Sequence, residues 1–216
     1  VCRSLGHGNS HAIALAPADP QEMLDLTILA FDLAFKYRNP VLVLGDGYLG
    51  QVTGKVMLPD HLIEPGLPAW PVYGDEGHRR NLISSIELGE QDLEDHNLEI
   101  QAKYRLMHAR EQRFDAFQCA DADVLLVAAN TPARMTKAAV QALRAKGVKA
   151  GLYRPVTLWP FPIDGLTPLL PQAKRLVVVE ASLGQLEDEL RLALSHAGVA
   201  HPAIEHMHHT GGVLPQ

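Results

Sequence analysis

Apolar residues in the first fifty positions follow a strand pattern, then a helical pattern, then a strand pattern again. Residues 11–16 and 41–44 are short apolar runs, and apolar residues recur at helical spacing between 23 and 37. Asp19 stands at the capping position of this helix, and Glu22 can reach back towards it. The pattern predicts one strand–helix–strand unit. Such a unit cannot cover both faces of its own sheet, so further sheet from upstream or from another chain is expected.

A longer polar segment follows this unit. Proline and glycine recur between residues 57 and 93, which indicates a long connection. Residues 92–117 are mostly polar with a weak apolar stripe, and we predict one long helix for them. A helix with so little apolar surface often lies across a domain boundary or against a partner.

The remainder of the chain predicts a second α/β unit. The predicted strands are 124–128, 148–152, 176–180 and 203–204, and the predicted helices are 132–146, 164–170 and 186–197. Thr131 is expected to cap the first of these helices, while Gly147 and Gly198 end two of them. Strands that alternate with helices predict a parallel sheet covered on both faces, which is a doubly wound fold.

Composition excludes several classes of protein. The chain has 216 residues, of which 47% are hydrophobic, and a net charge of −6, which argues against a nucleic-acid partner. No apolar run approaches the roughly 20 residues of a membrane-spanning helix, and residues 1–8 lack the apolar region of a signal peptide. The two cysteines, Cys2 and Cys119, fit a reducing cytoplasm and are too few to hold an iron–sulfur cluster.

Two glycine-rich segments are candidate sites. Gly6-His7-Gly8 precedes the first strand and is either a ligand-facing loop or a plain terminal loop. Gly45-Asp46-Gly47 lies at the carboxyl end of a predicted strand, where open α/β sheets bind ligands. An ordinary turn is the favoured interpretation of the second segment, because no phosphate-loop motif surrounds it.

Candidate residues in the second unit lie at strand ends. Residues 154–162 contain three prolines, which would hold Arg154 and Thr157 rigidly. The segment is either a loop that faces an interface or a ligand, or a connector packed inside the protein. Gln185 is either a hydrogen-bonding residue of an interface or part of a plain helix cap. Glu180 in the same strand-to-helix turn would weaken an anion site at that helix start.

The histidines near the end of the chain raise the question of a metal site. On a strand, His206 and His208 would share one face and Glu205 would point to the other. A closed site needs three or four converging ligands, which this spacing does not provide, so we assign no metal ligand. No nucleophile elbow and no paired Ser/His/Asp arrangement is recognisable, so we assign no catalytic residue either.

Several of these segments resemble one family. The segment HAIALAPADPQEMLDLTILAFDLAFKYRNPVLVLGDGYLGQ resembles the end of the pyrimidine-binding domain in the alpha-type subunit of 2-oxoacid:ferredoxin oxidoreductases. The 2-oxoisovalerate and 2-oxoglutarate members are the most similar. The segments GVKAGLYRPVTLWPFP, VVVEASLGQLEDELRLAL and TGGVLP resemble the following domain of that subunit, which is like the transketolase C-terminal domain.

The resemblance implies a fold and a division of the chain. The fold class is α/β, with a truncated parallel sheet unit of the thiamine-pyrimidine-binding type before a doubly wound transketolase C-terminal-like domain. Residues 1–58 would be the C-terminal part of the pyrimidine-binding domain, 59–118 a linker with the long helix, and 119–216 the transketolase C-terminal-like domain. The family's aminopyrimidine-contacting glutamate and its Arg-Gly-Gly loop would both precede Val1.

The resemblance also implies an activity shared with other chains, the oxidative decarboxylation of a 2-oxoacid to an acyl-CoA in a cytoplasmic complex. Thiamine diphosphate and magnesium would be shared with a beta-type partner subunit, with iron–sulfur clusters and coenzyme A on that partner or elsewhere in the complex. Gamma-type and ferredoxin-like subunits are further expected partners, in a dimer of active-site units. His7 and Gly8 match a loop near the cofactor cleft, and Arg154, Thr157 and Gln185 match strand-end motifs expected at an interface.

Four positions depart from the family motifs. Ala129-Asn130 stands where the family has Tyr-Gly, and Ala181-Ser182 stands where it has Met-Asn. Two alternative functions remain open beside that of an enzyme subunit. One is a non-catalytic remnant that serves as an assembly or scaffold module of this family. The other is an unrelated α/β domain that binds a small ligand, or a metal at the histidines.

Overall fold

The computed structural model describes residues 6, 8–60, 68–84 and 86–211. The elements in chain order are β1 (Ile13–Leu15), α1 (Pro20–Tyr37), β2 (Val41–Val43), α2 (Glu90–Arg110), β3 (Phe114–Phe117), β4 (Val124–Val127), α3 (Asn130–Ala145), β5 (Ala150–Pro155), β6 (Thr157–Trp159), α4 (Ile163–Leu166), β7 (Arg175–Glu180), α5 (Gln185–Ala197) and β8 (Ile204–His208). Short 3₁₀ turns lie at Arg79–Asn81 and Thr167–Gln172.

The start of α1 confirms the predicted cap. The Asp19 carboxylate accepts the backbone N–H of Glu22 at 2.9 Å, which satisfies one of the free donors of the first helical turn. The Glu22 carboxylate reaches back one residue further than the predicted box and accepts the N–H of Ala18 at 2.8 Å. Both bonds fix the angle at which the chain leaves β1 for α1.

The first sheet is completed by a strand from the second half of the chain. β1 pairs with β2 in parallel on one edge and with β6 in antiparallel orientation on the other, giving the order β2-β1-β6. The N–H of Ala16 also donates to the carbonyl of Val156 at 2.8 Å. The strand–helix–strand unit is confirmed. The additional sheet was expected from upstream or from another chain, but one strand of it, β6, comes from the later part of this chain because it pairs with the open edge of β1.

The predicted helix over residues 92–117 is wrong at its C-terminal end. α2 ends at Arg110, and β3 then pairs in antiparallel orientation with β5. The Phe114 ring stacks on the buried Tyr153 ring with 5.1 Å between centroids. This tertiary pairing outweighs local helical propensity, because it satisfies the outer edge of β5 and places Phe114 against an aromatic partner.

The second sheet has the order β3-β5-β4-β7-β8, in which β5, β4, β7 and β8 are parallel. Leu125, Val127 and Val178 face a cluster that includes Leu190 of α5, while alternate strand residues face Val140 of α3. Helices therefore cover both faces, and the doubly wound prediction is confirmed. The last strand is longer than predicted, since it extends to His208.

The first unit has its core on one side of β1. Ile13 and Leu15 pack against Leu33 of α1 and against Tyr104 and Met107 of α2. α2 is thus held by two buried residues near its C-terminal end, while most of its surface stays exposed. Few apolar contacts hold its N-terminal half, which follows from the weak apolar stripe of its sequence.

Candidate functional site

A cleft of about 640 Å³ lies where the two units meet. Its walls are the carboxyl ends of β2, β4 and β7. The chain runs from β4 through α3 to β5 on one side and reaches β7 on the other side of β4, so strand order reverses between β4 and β7. Ligands in open α/β sheets bind at such a reversal, outside the carboxyl ends of the strands. The position makes this cleft the candidate site.

Asp46 joins the two units at the edge of the cleft. Its carboxylate accepts the N–H of Leu49 at 2.8 Å, which stabilises the turn after β2. It also accepts the backbone N–H and the hydroxyl of Thr131, at 2.9 and 3.0 Å. Thr131 was expected to cap α3, but the helix begins at Asn130 without a side-chain cap of its own. Asp46 from the first unit supplies that function, because its carboxylate satisfies a donor at the helix start.

Asn130 makes a second link between the units. Its side-chain amide donates to the carbonyls of Leu44 at 2.7 Å and Pro17 at 3.1 Å, which lie just beyond the carboxyl ends of β2 and β1. Its backbone has a φ of 53°, a left-handed conformation that asparagine tolerates better than most residues. Sequence reasoning did not find this link, because the three residues are distant in sequence and share no local motif.

The third wall of the cleft contains the buried Glu180. Its carboxylate accepts the N–H groups of Leu186 at 3.0 Å and Glu187 at 3.3 Å, and the hydroxyl of Ser182. A carboxylate of the chain itself therefore occupies the N-terminus of α5. This agrees with the expectation from the sequence that Glu180 would weaken an anion site at this helix start. Gln185 is exposed at the first position of α5 and lines the same cleft.

The histidines of β8 lie on one face of the strand beside Glu180. His206 places its two ring nitrogens 2.9 Å from Glu180 and 3.1 Å from Glu187, and its ring stacks on that of His208. Glu205 points the other way and pairs with Arg175, as the strand alternation predicted. Within the described part of the chain, no group of three or more potential ligands is arranged to hold a metal ion.

Arg154 and Thr157, which were expected at an interface, lie inside the junction of the two units. The Arg154 guanidinium donates two bonds of 2.7 Å to Glu22 of α1 and two bonds, of 3.0 and 2.5 Å, to Asp115 of β3. Burial alone would lower the pKa of Arg154, but the two carboxylates outweigh it and the net shift is upward. Thr157 is fully buried, and its hydroxyl accepts the N–H of Arg113 at 2.9 Å. That Arg154 and Thr157 also contact a partner chain stays a prediction.

The glycine loop lies at the other end of β1. Gly8 precedes that strand, and its neighbour Asn9 lines a shallow groove of about 530 Å³ beside the N-terminal half of α2. Gly8 has a φ of 95°, which suits glycine. His7 is outside the described residues. The structure thus does not bring Gly8 to the cleft at the carboxyl ends, and its contact with a cofactor stays a prediction.

Cys119 offers no reactive thiol. It is buried, its sulfur lies 3.1 Å from the carbonyl oxygen of Leu152, and burial raises the pKa of the thiol to about 11. The thiolate is the nucleophile and the metal ligand, and burial keeps it from forming at neutral pH. Among the described residues, no helix is long and apolar enough to cross a membrane.

The cleft does not fit the diphosphate of a thiamine cofactor. A diphosphate needs free N–H donors or cationic side chains, but the N–H of Thr131 at the start of α3 donates to Asp46, and those of Leu186 and Glu187 at the start of α5 donate to Glu180. Among the residues that the structure describes, no lysine or arginine lines the cleft. We therefore derive no catalytic step from the cleft.

Family models match the two units in consecutive order. The model described as "Pyruvate flavodoxin/ferredoxin oxidoreductase, thiamine diP-bdg" matches residues 1–112. The model described as "Pyruvate:ferredoxin oxidoreductase core domain II" matches residues 122–216. The first covers more than half of the chain.

Curated relatives agree with these models. The ketoisovalerate oxidoreductase subunit VorB of Methanothermobacter thermautotrophicus is 40% identical over 195 residues, which are 89% of this chain and 55% of that protein. The 2-oxoglutarate synthase subunit KorA of Methanocaldococcus jannaschii is 33% identical over 213 residues, which are 88% of this chain and 57% of that protein. The chain thus spans a little over half the length of these relatives.

Solved structures agree on the fold. A 2-oxoglutarate:ferredoxin oxidoreductase from Magnetococcus marinus matches with a TM-score of 0.72 and 21% identity, over 96% of this chain and 41% of that one. A split-gene transketolase, solved as an inactive tetramer, matches with a TM-score of 0.53 and 16% identity, over 91% of this chain and 48% of that one. Both family models, the relatives and the fold agree that this chain belongs to the family of 2-oxoacid:ferredoxin oxidoreductase subunits.

Proposed function

We propose that this chain works as part of a thiamine-diphosphate-dependent 2-oxoacid:ferredoxin oxidoreductase and is active only with partner chains. The observation that carries this proposal is the consecutive match of the two family models over nearly the whole chain. The enzyme would convert a 2-oxoacid and coenzyme A to an acyl-CoA, carbon dioxide and a proton, while the two electrons released reduce two one-electron centres of oxidised ferredoxin. We place it in the cytoplasm, where buried thiols such as Cys119 stay reduced.

The distribution of exposed apolar side chains supports partner chains. Most large apolar side chains that are exposed among the described residues lie between residues 31 and 106, including Phe31 at 65%, Leu88 at 93% and Leu98 at 58%. The second unit exposes far fewer. Extended apolar surface on one part of a protein is typical of a protein–protein interface. We infer that the first unit is the part that contacts other chains.

The chemistry of the described residues supports a cofactor held mainly by a partner. The cleft lacks groups for a diphosphate, and two cysteines in the whole chain cannot ligate a cluster that needs four thiolates. Thiamine diphosphate, magnesium and an iron–sulfur cluster would therefore be bound chiefly by a beta-type subunit, with gamma-type and ferredoxin-like subunits in the same complex. When bound, thiamine diphosphate supplies the carbanion chemistry of decarboxylation.

The relatives suggest a first substrate to test. VorB, named for ketoisovalerate, is 40% identical, whereas the KorA protein, named for 2-oxoglutarate, is 33% identical. We therefore propose a branched-chain 2-oxoacid, with 2-oxoisovalerate as its representative. A branched apolar group and a second carboxylate need different pocket chemistry, so the two acids are readily distinguished in an assay.

The test is co-expression of this chain with candidate partner subunits, followed by viologen reduction with 2-oxoisovalerate, coenzyme A and thiamine diphosphate. We expect reduction by the complex and none by either component alone. Phe31→Glu should prevent co-purification, whereas the matched control Val148→Glu, on the second unit, should not. Turnover by the isolated chain would contradict the need for a partner. A stable complex without oxoacid-dependent reduction would favour a scaffold function instead.

A further inference from the structure

We propose that the cleft between the units binds a small organic cation, an amine or a guanidinium carried on an apolar body. This site is separate from the proposed oxidoreductase chemistry, whose oxoacid, coenzyme A and diphosphate are all anions. The volume of about 640 Å³ lies within the range of small-molecule pockets, and the cleft occupies the reversal of strand order where such ligands bind.

The four departures from the family motifs all line this cleft. Ala129 and Asn130 lie at the start of α3, just after β4, and Ala181 and Ser182 follow β7 on the opposite side. At two of these positions, alanine stands where the family motif has tyrosine or methionine. Alanine adds little volume to the wall at both positions, which leaves space in the cleft.

The charge of the lining selects the ligand. The described part of the chain contributes four acidic side chains to the cleft and no lysine, arginine or histidine; the acidic residues are Asp46, Glu180, Asp188 and Glu189. Helix starts usually attract anions, but here Asp46 and Glu180 already occupy the starts of α3 and α5. Asp188 and Glu189 repel an anionic ligand and attract a cation, whereas the charges of Asp46 and Glu180 are already partly offset by the N–H groups whose hydrogen bonds they accept.

The remaining lining selects an apolar body for that cation. Leu44, Pro132, Leu158 and Leu186 contribute apolar surface from four different elements of the junction. Gln185 adds an exposed amide at the rim, which can donate or accept a hydrogen bond. A pocket of this composition buries an alkyl or aryl group and leaves the charged group at the carboxylates.

Three compounds of one shape test the inference by calorimetry on the full chain. They are 3-methylbutylamine, which is a cation, 3-methylbutanol, which is neutral, and 3-methylbutanoate, which is an anion. We expect the amine to bind at least about tenfold more tightly than the alcohol, and the affinity to fall with added salt. No detectable binding of the amine, or equal or tighter binding of the carboxylate, would overturn the proposal.

Two variants that place larger side chains in the walls of the cleft test the location. Ala181→Met should fill part of the cleft and weaken amine binding about tenfold or more. Ala129→Tyr should do the same once thermal melting shows that the variant is folded, because Ala129 is buried and a larger side chain there lowers stability. Ala102→Met, on the exposed face of α2, is the matched control and should bind like the parent. Asp188→Asn should weaken binding about threefold to fivefold, as expected for one partly screened charge. Unchanged affinity in both filled variants would refute the site.

The cation can be a free molecule or a basic side chain of a partner, and assembly distinguishes the two sources. If it is free, the assembled complex binds the amine as the isolated chain does. If a partner side chain occupies the cleft, assembly abolishes amine binding and Ala129→Tyr weakens the complex. Either result supports cation recognition by the cleft. Because the primary measurement uses the chain alone, its failure would leave the oxidoreductase proposal untouched.

Discussion

Replacement of Arg154 by methionine tests how firmly the two units are joined. The guanidinium is 7% exposed and bonds in bidentate fashion to Glu22, which is 29% exposed, and to Asp115, which is 63% exposed. Methionine keeps much of the volume and removes the charge. Glu22 would then keep its bond from Ala18 but lose its cationic partner, while the exposed Asp115 would lose little because water solvates it.

The expected loss in the free energy of unfolding follows from the charges of the pair and from the exposure of its side chains. A pair of unit charges 4 Å apart is worth about 4 kcal/mol at an effective dielectric constant of 20. Partial exposure of Glu22 and the desolvation of Arg154 take back roughly half of that value. Arg154→Met should therefore lower the free energy of unfolding by about 2–3 kcal/mol, and Glu22→Gln by about 1–2 kcal/mol. Their coupling energy should be about 1.5–2 kcal/mol.

Urea unfolding followed by circular dichroism measures the four proteins of the double-mutant cycle, which are the parent chain, Arg154→Met, Glu22→Gln and the double variant. Asp115→Asn is the matched control, and its effect should stay within about 0.5 kcal/mol because its carboxylate is exposed. A coupling energy below about 0.5 kcal/mol would refute the reasoning, since the pair would then add nothing beyond its separate side chains. An equally large effect of Asp115→Asn would show that the exposed carboxylate, and not α1, anchors Arg154.

Three further predictions concern buried groups. Burial would raise the pKa of Glu111, but hydrogen bonds from Lys36, Tyr37 and Arg113 outweigh it and the net shift is downward. The ionised Glu111 therefore stabilises the fold fully at pH values above 4.5, its ordinary pKa, and Glu111→Gln should lower the free energy of unfolding most in that range. The difference between the two proteins should disappear as pH falls through the lower pKa of Glu111 in the folded state, which urea midpoints between pH 7 and 3 would show. Gly151→Ala should cost about 1–3 kcal/mol in the same unfolding assay, because its Cβ would lie 2.7 Å from the Gln118 carbonyl oxygen, whereas Gly47→Ala meets open space. Cys119 should react with iodoacetamide at pH 8 only in urea, as peptide mass mapping would show, since burial raises its pKa to about 11. Full labelling of the native chain would contradict that burial.

Local sequence patterns predicted the elements, and distant contacts account for what they missed. Asp19 identified the start of α1, and the apolar runs identified β1, β2, β4 and β7, because capping and burial depend on neighbouring residues. The prediction failed for Thr131, whose helix start is satisfied by Asp46 from the other unit. It failed again at β3, where pairing with β5 decides the structure.

The candidate site was visible only in part from the sequence. Residues 129–130 and 181–182 were recognisable as departures from a motif, but nothing in their spacing indicated that they face one cavity. Their convergence depends on the order of the strands, which brings β4 and β7 side by side. The acidic lining was equally hidden, because Asp46 comes from the other unit.

The pairing of β1 with β6 has a consequence for synthesis of the chain. Residues 13–15 must wait for residues 157–159 before their sheet edge is covered. At the usual 5–20 residues per second, a ribosome leaves that edge bare for on the order of ten seconds. An apolar strand with an open edge is a template for aggregation during that time. Expression at a lower temperature, or with chaperones that bind nascent chains, should therefore raise the yield of folded protein more than changes to the surface of the second unit.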